Sequence, residues 1–160
     1  MNKTWQAFWR LSGGERILVL EAAALLLASW VGLRLIGFQR WRGFISHFAT
    51  GSRISPLSRA CAPEDEKIEL SHKVARLEAS ASRHLFVHMN CLERSFALWW
   101  LLLRMGIPAE LRIGARKDNG RFEAHAWVDL DGIVLSEADY EHKDFVPFEA
   151  PASSVETPTR

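Results

Sequence analysis

A single histidine interrupts a strand-like run of small and apolar residues in the last third of the 160-residue chain. His125 lies in the segment EAHAWVDLDG, flanked by two alanines and followed by Trp127. One interpretation is a core histidine whose ring nitrogens bind backbone groups. The other is a general base, which works with a nucleophile and with an acidic residue that orients the ring. The second interpretation requires both of those residues elsewhere in the chain.

Cys91 is the candidate nucleophile. It directly precedes an apolar stripe at helical spacing, which predicts a helix from Cys91 to the break at Gly106-Ile107-Pro108. The unsatisfied amides and the positive dipole end of a helix N-terminus favour a thiolate over a thiol. On its own, a free cysteine is more often a small buried apolar residue. The interpretation of Cys91 therefore depends on whether the fold brings it to His125.

His125 belongs to a predicted β-hairpin over residues 122–137, and the length of its loop decides which residue faces the imidazole. A two-residue turn, Asp131-Gly132, would pair His125 with Ala138. Glu137 would then lie on the opposite face of the hairpin, because side chains alternate along a strand. This register provides no carboxylate beside the ring.

A three-residue loop over residues 130–132 gives a different pairing and places glycine at the left-handed third position that such loops favour. His125 would then pair with Glu137, with their Cβ atoms about 5 Å apart. Asp139 would lie on the same face, in a diagonal position. We therefore predict the three-residue loop, Glu137 as the acid that orients His125, and Asp139 as the reserve acid.

Helices are predicted before this unit. Ser12 and Glu15 have the spacing of a capping box and begin a long helix that should end near Gly37. Apolar spacings of three and four predict a short second helix over residues 38–49. Pro63, followed by three acidic residues, begins another helix, because proline fits the first turn and acids complement the dipole.

The order after Cys91 is a helix, an alternating strand at residues 111–115, and the hairpin. This order predicts an α+β fold in which the Cys91 helix packs on an antiparallel sheet. The predicted parts of the chain are an N-terminal helical segment (1–50), a loop (51–62), the core (63–150) and a disordered tail (151–160).

The N-terminal helix is strongly apolar. Between residues 17 and 36 the charged residues are Glu21 and Arg34, and the uncharged stretch from Ala22 to Leu33 is 12 residues long. A membrane span needs about 18 or more. A signal peptide is disfavoured, because Glu21 interrupts the apolar run and no small-x-small cleavage site follows it. A buried or partner-facing helix and a helix that contacts a membrane surface both remain open.

Composition excludes some classes of function. Lys plus Arg number 20 and Asp plus Glu 19, so no net charge attracts nucleic acid. The two cysteines, Cys61 and Cys91, form neither a disulfide framework nor a zinc motif, which indicates a reducing compartment. His84 and His88 have metal-ligand spacing on a helix, but polar residues of a connecting segment are the preferred interpretation. We predict no metal.

The segment CLERSFALWWLLLRMGIPAELRIGARKDNGRFEAHAWVDLDGIVLSE, which starts at Cys91, resembles the transglutaminase-like cysteine peptidases of lasso-peptide biosynthesis. These are the catalytic half of the B protein, which removes the leader from a ribosomal precursor. The shared features are Cys91 with Ser95, the segment at 106–108, HAWV at 125–128 with a following glycine, and FVPF at 145–148. The resemblance is clear over about residues 85–148 and implies a papain/transglutaminase-like core.

The resemblance also implies roles for individual residues. Cys91 would attack the scissile carbonyl, and His125 would take the thiol proton and later protonate the leaving amine. The backbone amide of Cys91 would contribute to an oxyanion hole. The third position is usually Asp in this family, and Glu137 stands there in this chain, which keeps the charge but changes the reach.

Fused B proteins carry an N-terminal leader-recognition domain, whereas the residues before Cys91 here are helical and apolar. The chain therefore looks like the stand-alone peptidase of a split system. The implied partners are the leader–core precursor peptide, a separate leader-recognition protein and an ATP-dependent macrolactam cyclase, and no cofactor is implied. The expected location is the cytoplasm, with association at the inner face of the membrane left open. Two alternatives also stay open: a transglutaminase-like acyl or amide transferase, and an inactive scaffold of the maturation complex.

Overall fold

The computed structural model describes residues 9–51, 63–118, 120–135 and 145–148. The helices are α1 (Gly13–Leu35), α2 (Phe38–Gly51), α3 (Glu64–His84) and α4 (Cys91–Arg104). The strands are β1 (Glu110–Asp118), β2 (Arg121–Leu130), β3 (Ile133–Val134) and β4 (Val146–Pro147). They form an antiparallel sheet in the order β3-β2-β1-β4. The predicted α+β class is confirmed.

Helix α1 begins at the predicted capping box. The Glu15 amide donates to the Ser12 hydroxyl at 3.3 Å, and the Ser12 amide donates to the Glu15 carboxylate at 2.8 Å. Lys73 of α3 lies 2.7 Å from the same carboxylate. The Lys73 ammonium, together with the Ser12 hydrogen bonds, lowers the pKa of Glu15 to about 2. The charged carboxylate therefore both caps α1 and ties it to α3.

Helix α1 packs into the common core instead of standing apart from it. Leu18, Leu25 and Leu26 are buried together with residues of α3 and α4 in one hydrophobic cluster. The helix is also long and apolar enough to cross a membrane, with a mean hydropathy of 1.8 in its most apolar window. Core helices of soluble proteins meet the same criterion, and 33% of that window is buried within the fold. The structure thus establishes the packing of one face of α1.

Helix α4 joins the helical layer to the sheet. Its buried residues include Phe96, Leu101 and Leu102, and Val128 and Leu130 of β2 belong to the same cluster. The Trp99 indole nitrogen donates to the carbonyl of Ala109 at 2.9 Å, immediately before β1 begins. The predicted packing of the Cys91 helix on an antiparallel sheet is confirmed.

The turn between β2 and β3 differs from the prediction. Leu130 pairs with Ile133, so a two-residue Asp131-Gly132 turn joins the strands, and the predicted three-residue loop is wrong. Asp131 has φ 51° and Gly132 has φ 85°. Positive φ at both positions is typical of a type I′ turn, whose twist matches that of paired strands and which Asp-Gly strongly favours. The predicted pairing of His125 with Glu137 depended on the rejected loop.

Several predictions fall outside the described residues. Glu137 and Asp139 are among them, as are residues 52–62 of the predicted loop and the predicted tail at 151–160. The domain boundaries therefore stay predictions. Strand β4, which pairs with β1 through Gly114↔Pro147, was not predicted as a strand.

Candidate active site

Cys91 is the first residue of α4, and local sequence explains why the helix begins there. Asn90 is the N-cap: its side-chain oxygen accepts from the Glu93 amide at 3.0 Å. The Glu93 carboxylate accepts from the Asn90 amide at 2.9 Å, which completes a capping box. The amides of Cys91 and Leu92 precede the capped amide and have no intrahelical carbonyl to bind. They are therefore placed to donate to an anionic group beside the thiol.

The cap at Cys91 is reinforced from α1. The Arg34 guanidinium lies 3.1 Å from the carboxylate of Glu93, a residue that is only 3% exposed. Arg34 also lies over the Trp30 ring, with 4.3 Å between the guanidinium carbon and the ring centroid. Because a buried carboxylate is costly without a partner, this contact stabilises the charged cap. The C-terminal end of α1 thus supports the first turn of the cysteine helix.

Cys91 and His125 line the same cavity, whose volume is about 570 Å³. Its walls come from α3, from the first two turns of α4, from residues 123–126 of β2, and from Leu135 and Phe145. Cys91 is partly exposed and is a free cysteine. The Nε2 atom of His125 is buried. The two residues that the sequence analysis singled out therefore line one cavity.

The cavity lies at the edge of β2, beyond the described part of β3. His125 stacks on Trp127, its neighbour on the same strand face, with centroids 6.2 Å apart and ring planes 16° from parallel. The intervening Ala126 faces the opposite way, and the next residue on its face, Val128, joins the core with α4. Strand alternation therefore places His125 on the face away from α4. Cys91 and His125 are nevertheless both lining residues of this one cavity.

Aromatic side chains fix the position of the His125 ring. Phe145 is buried and its centroid lies 5.4 Å from the imidazole and 6.5 Å from the Trp127 ring. The Arg116 guanidinium lies over the Phe145 ring, 4.7 Å from its centroid, and also binds Glu123 at 2.8 Å. These contacts restrict the imidazole to one region of the cavity wall.

A buried hydrogen bond joins the two elements that carry the candidate residues. The Ser95 hydroxyl, one helical turn after Cys91, donates to the carbonyl of Ala126 at 2.9 Å. Ser95 is 8% exposed. The bond holds the first turn of α4 against the strand position next to His125, and so limits how far the thiol and the imidazole can separate.

A charged pair lies in the same wall. Glu78 of α3 is 3% exposed and binds Arg94 of α4 at two points: Nε to Oε1 at 3.3 Å and Nη2 to Oε2 at 3.2 Å. Sequence analysis missed this pair, because contacts between separate helices have no local signal. It also missed the Asn90–Glu93 cap, although the pattern N-x-x-E before an apolar run is readable.

The described residues contain no group of three or more His, Cys, Asp or Glu side chains placed to hold a metal ion. His84 binds the carbonyl of Ser80, one turn earlier, at 2.6 Å through its Nδ1 atom. It is the last residue of α3, and His88 lies beyond that helix.

Comparison with known proteins agrees with this arrangement. The chain matches the family model described as the transglutaminase-like superfamily over residues 31–150, which is 120 of its 160 residues. The matched region includes α4, the sheet and both candidate residues, together with the end of α1. No curated protein and no solved structure matches the chain. Because the family match covers three quarters of the sequence, the chain belongs to the transglutaminase-like superfamily.

Proposed function

We propose that this protein is a cysteine peptidase that removes the leader from a ribosomally made lasso-peptide precursor. One observation carries the proposal: a cysteine at a helix N-terminus and a histidine on the neighbouring strand line one cavity. The membership of the transglutaminase-like superfamily supports nucleophilic cysteine chemistry on this scaffold. The choice of a lasso precursor rests on the resemblance of residues 85–148 to the B-protein peptidases.

The proposed reaction begins with transfer of the Cys91 thiol proton to His125. The thiolate sulfur attacks the scissile carbonyl, and the amides of Cys91 and Leu92 donate to the oxyanion that forms. His125 then protonates the amine of the core peptide, which leaves. The acyl group of the leader stays on Cys91 as a thioester. His125 next accepts a proton from water, the resulting hydroxide attacks the thioester, and the leader departs with a carboxylate.

The third member of the proposed triad is an acidic residue that follows β3. Glu137 remains the proposed acid and Asp139 the reserve, on the resemblance alone. The observed turn removes the geometric argument that had favoured Glu137. Within this proposal, the acid would hold the imidazole in one orientation and stabilise its protonated form.

The proposal includes partners and a location. A separate leader-recognition protein would deliver the precursor, and an ATP-dependent macrolactam cyclase would act on the released core. The reaction would take place in the cytoplasm. Ile17, Leu20, Val31 and Leu35 of α1 are exposed, which supports contact with a partner or with the inner membrane surface.

Two alternative functions make different predictions for the same experiment. A transglutaminase-like transferase would pass the acyl group from Cys91 to an added amine. An inactive scaffold would bind the precursor without reacting at Cys91. Mass spectrometry separates the three, because hydrolysis gives a free core and a leader carboxylate, transfer gives an amine adduct, and a scaffold leaves the precursor intact.

The test incubates the full chain with a candidate lasso precursor peptide and a candidate leader-recognition protein, with and without glycine ethyl ester as the amine. We expect cleavage at one leader–core bond, and no cleavage with Cys91→Ala. Arg104→Lys is the matched control, because Arg104 lies at the other end of the same helix and pairs with Glu21 at 3.0 Å. Cleavage that survives Cys91→Ala, or an amine adduct in place of a free core, would overturn the proposal.

A further inference from the structure

The ion pair between Glu78 and Arg94 lies in the wall of the cavity that Cys91 and His125 line. Arg94 follows Cys91 by three residues on α4, so the two side chains project from the same side of the helix. Both residues line the cavity, and Glu78 lines it from α3. The Arg94 side chain is 35% exposed, whereas that of Glu78 is 4% exposed. Arg94 is therefore the accessible member of the pair in this wall, and Glu78 is the buried one.

The two hydrogen bonds to Glu78 use only some of the N–H donors of Arg94. A guanidinium has five N–H donors in a rigid plane, and the contacts with Glu78 occupy two of them. A buried carboxylate held at two points fixes the plane of the guanidinium. The remaining donors are thus held in position before any molecule binds, so little conformational entropy is lost when they are used.

The charges in the cavity indicate which acceptor these donors would meet. Besides the reactive pair, the ionisable lining residues in the described part of the chain are Glu78, Arg94 and Glu123. Glu78 is paired with Arg94, and Glu123 is paired with Arg116. When Arg116 is counted with Glu123, the formal charges of these described residues cancel, so they give no preference for a charged ligand. A neutral oxygen acceptor, such as a peptide carbonyl, fits donors of this kind.

We propose that Arg94, held by Glu78, donates to a backbone carbonyl of the peptide bound beside Cys91. The inference rests on the proposed function, since it assumes a peptide substrate. Arg94 would bind the substrate next to the scissile bond. Glu78 would be a positioning residue, because it acts by holding Arg94. Recognition of backbone atoms would position the substrate without selecting a particular side chain at that point.

The test compares two reagents that alkylate Cys91 through the same chloromethyl ketone group. N-acetyl-alanyl-alanyl chloromethyl ketone carries peptide carbonyls, and chloroacetone carries none. Alkylation of Cys91 is followed by peptide mass spectrometry for the wild-type chain and each variant. The measured quantity is the second-order rate constant of the peptide reagent divided by that of chloroacetone. Neither reagent requires knowledge of the natural precursor.

The first variant is Arg94→Lys, which keeps a positive charge beside Glu78 but loses the planar fork. We expect it to lower the ratio by about 10- to 100-fold, the factor for loss of a hydrogen bond to a charged group, with chloroacetone almost unaffected. Arg104→Lys, the control in an ion pair outside the cavity, should keep the wild-type ratio. An unchanged ratio in Arg94→Lys, or an equal fall in both variants, overturns the inference.

A second variant tests the inference if Arg94→Lys does not fold. The double change Glu78→Gln with Arg94→Gln removes the fork without leaving a buried carboxylate uncompensated. It should lower the ratio to the same extent as Arg94→Lys, with a cooperative thermal transition. If neither variant folds, the pair serves helix packing and the inference fails. If chloroacetone does not alkylate wild-type Cys91, the proposed function fails instead.

Discussion

The hydroxyl of Ser95 on α4 donates to the carbonyl of Ala126 on β2 at 2.9 Å. Along β2, the carbonyl of Val128 accepts from the Leu135 amide at 2.8 Å, on the side where β3 lies. Carbonyls of alternate residues point the same way, so that of Ala126 points to this side as well. The described part of β3 ends at Val134. Helix α4 therefore contributes a hydrogen-bond donor to β2 at the residue next to His125.

We predict that Ser95→Ala lowers both stability and the reactivity of Cys91. The substitution leaves a buried carbonyl without its hydroxyl donor, which costs about 1–3 kcal/mol of unfolding free energy. It also releases the turn of α4 that carries Cys91 from the strand that carries His125. The measurements are urea unfolding and the rate at which iodoacetamide alkylates Cys91.

Ser71→Ala is the matched control for this prediction. Ser71 is also buried, but its hydroxyl donates within its own helix, to the carbonyl of Lys67 at 2.7 Å. We expect a smaller loss of stability and no change in the alkylation of Cys91. Equal effects of the two variants on alkylation would show that Ser95 has no special part in positioning the thiol.

The cap at Asn90 should affect the reactivity of Cys91 as well as the stability of α4. Asn90→Ala removes the acceptor for the Glu93 amide and is expected to cost about 1 kcal/mol. Because Cys91 is the next residue, fraying of this turn should also slow its alkylation by several-fold. Ser12→Ala is the control, because Ser12 caps α1 in the same type of box. The two variants should lose similar stability. If Ser12→Ala slows the alkylation of Cys91 as much as Asn90→Ala does, the cap at Asn90 has no local effect on Cys91.

Gly114 should not tolerate a side chain. It pairs with His125 across β1 and β2, and a Cβ atom there would lie 2.6 Å from the Val146 carbonyl oxygen and 2.9 Å from the Trp127 ring. Gly114→Ala therefore has to displace β4 or the indole that stacks on His125. We expect a loss of about 1–3 kcal/mol, as for overpacked cores, and slower peptide cleavage. Wild-type stability in a chemical denaturation of this variant would contradict the packing described here.

The two candidate acids can be ranked by activity. On the resemblance, we predict that Glu137→Gln reduces cleavage far more than Asp139→Asn. Both changes remove a charge while keeping the side chain nearly isosteric, so their folding effects should be similar. The measurement is the rate of precursor cleavage by each variant. The opposite ranking would assign the orienting role to Asp139.

Local signals in the sequence determined most helix boundaries. The Ser12–Glu15 box, the proline at 63 and the glycines after α1 and α4 act through neighbouring residues, so their effects were readable without a fold. The same kind of signal was present at Asn90 and Glu93. The β2–β3 turn was also readable, since Asp-Gly is the strongest short-range indicator of a two-residue turn. The three-residue loop was predicted instead because it pairs His125 with a carboxylate.

Contacts between distant segments could not be predicted in this way. The Arg34–Glu93 and Glu78–Arg94 pairs join helices whose relative positions depend on the packing of the whole core. The pairing of β4 with β1 and the placement of Phe145 against His125 have the same origin. The sequence therefore indicated which residues could react, and the fold showed which other residues hold them.

The central claim is that His125 activates Cys91, and alkylation at near-neutral pH tests it most directly. The full chain is treated with iodoacetamide at pH 6.5, and modification of Cys91 is followed by mass spectrometry with Cys61 as the internal reference. We predict that Cys91 reacts at least about tenfold faster than Cys61, in line with the usual contribution of a positioned base. His125→Ala should abolish this advantage, and His72→Ala on α3 should preserve it. Equal rates for the two cysteines, or an advantage that persists in His125→Ala, would contradict the account.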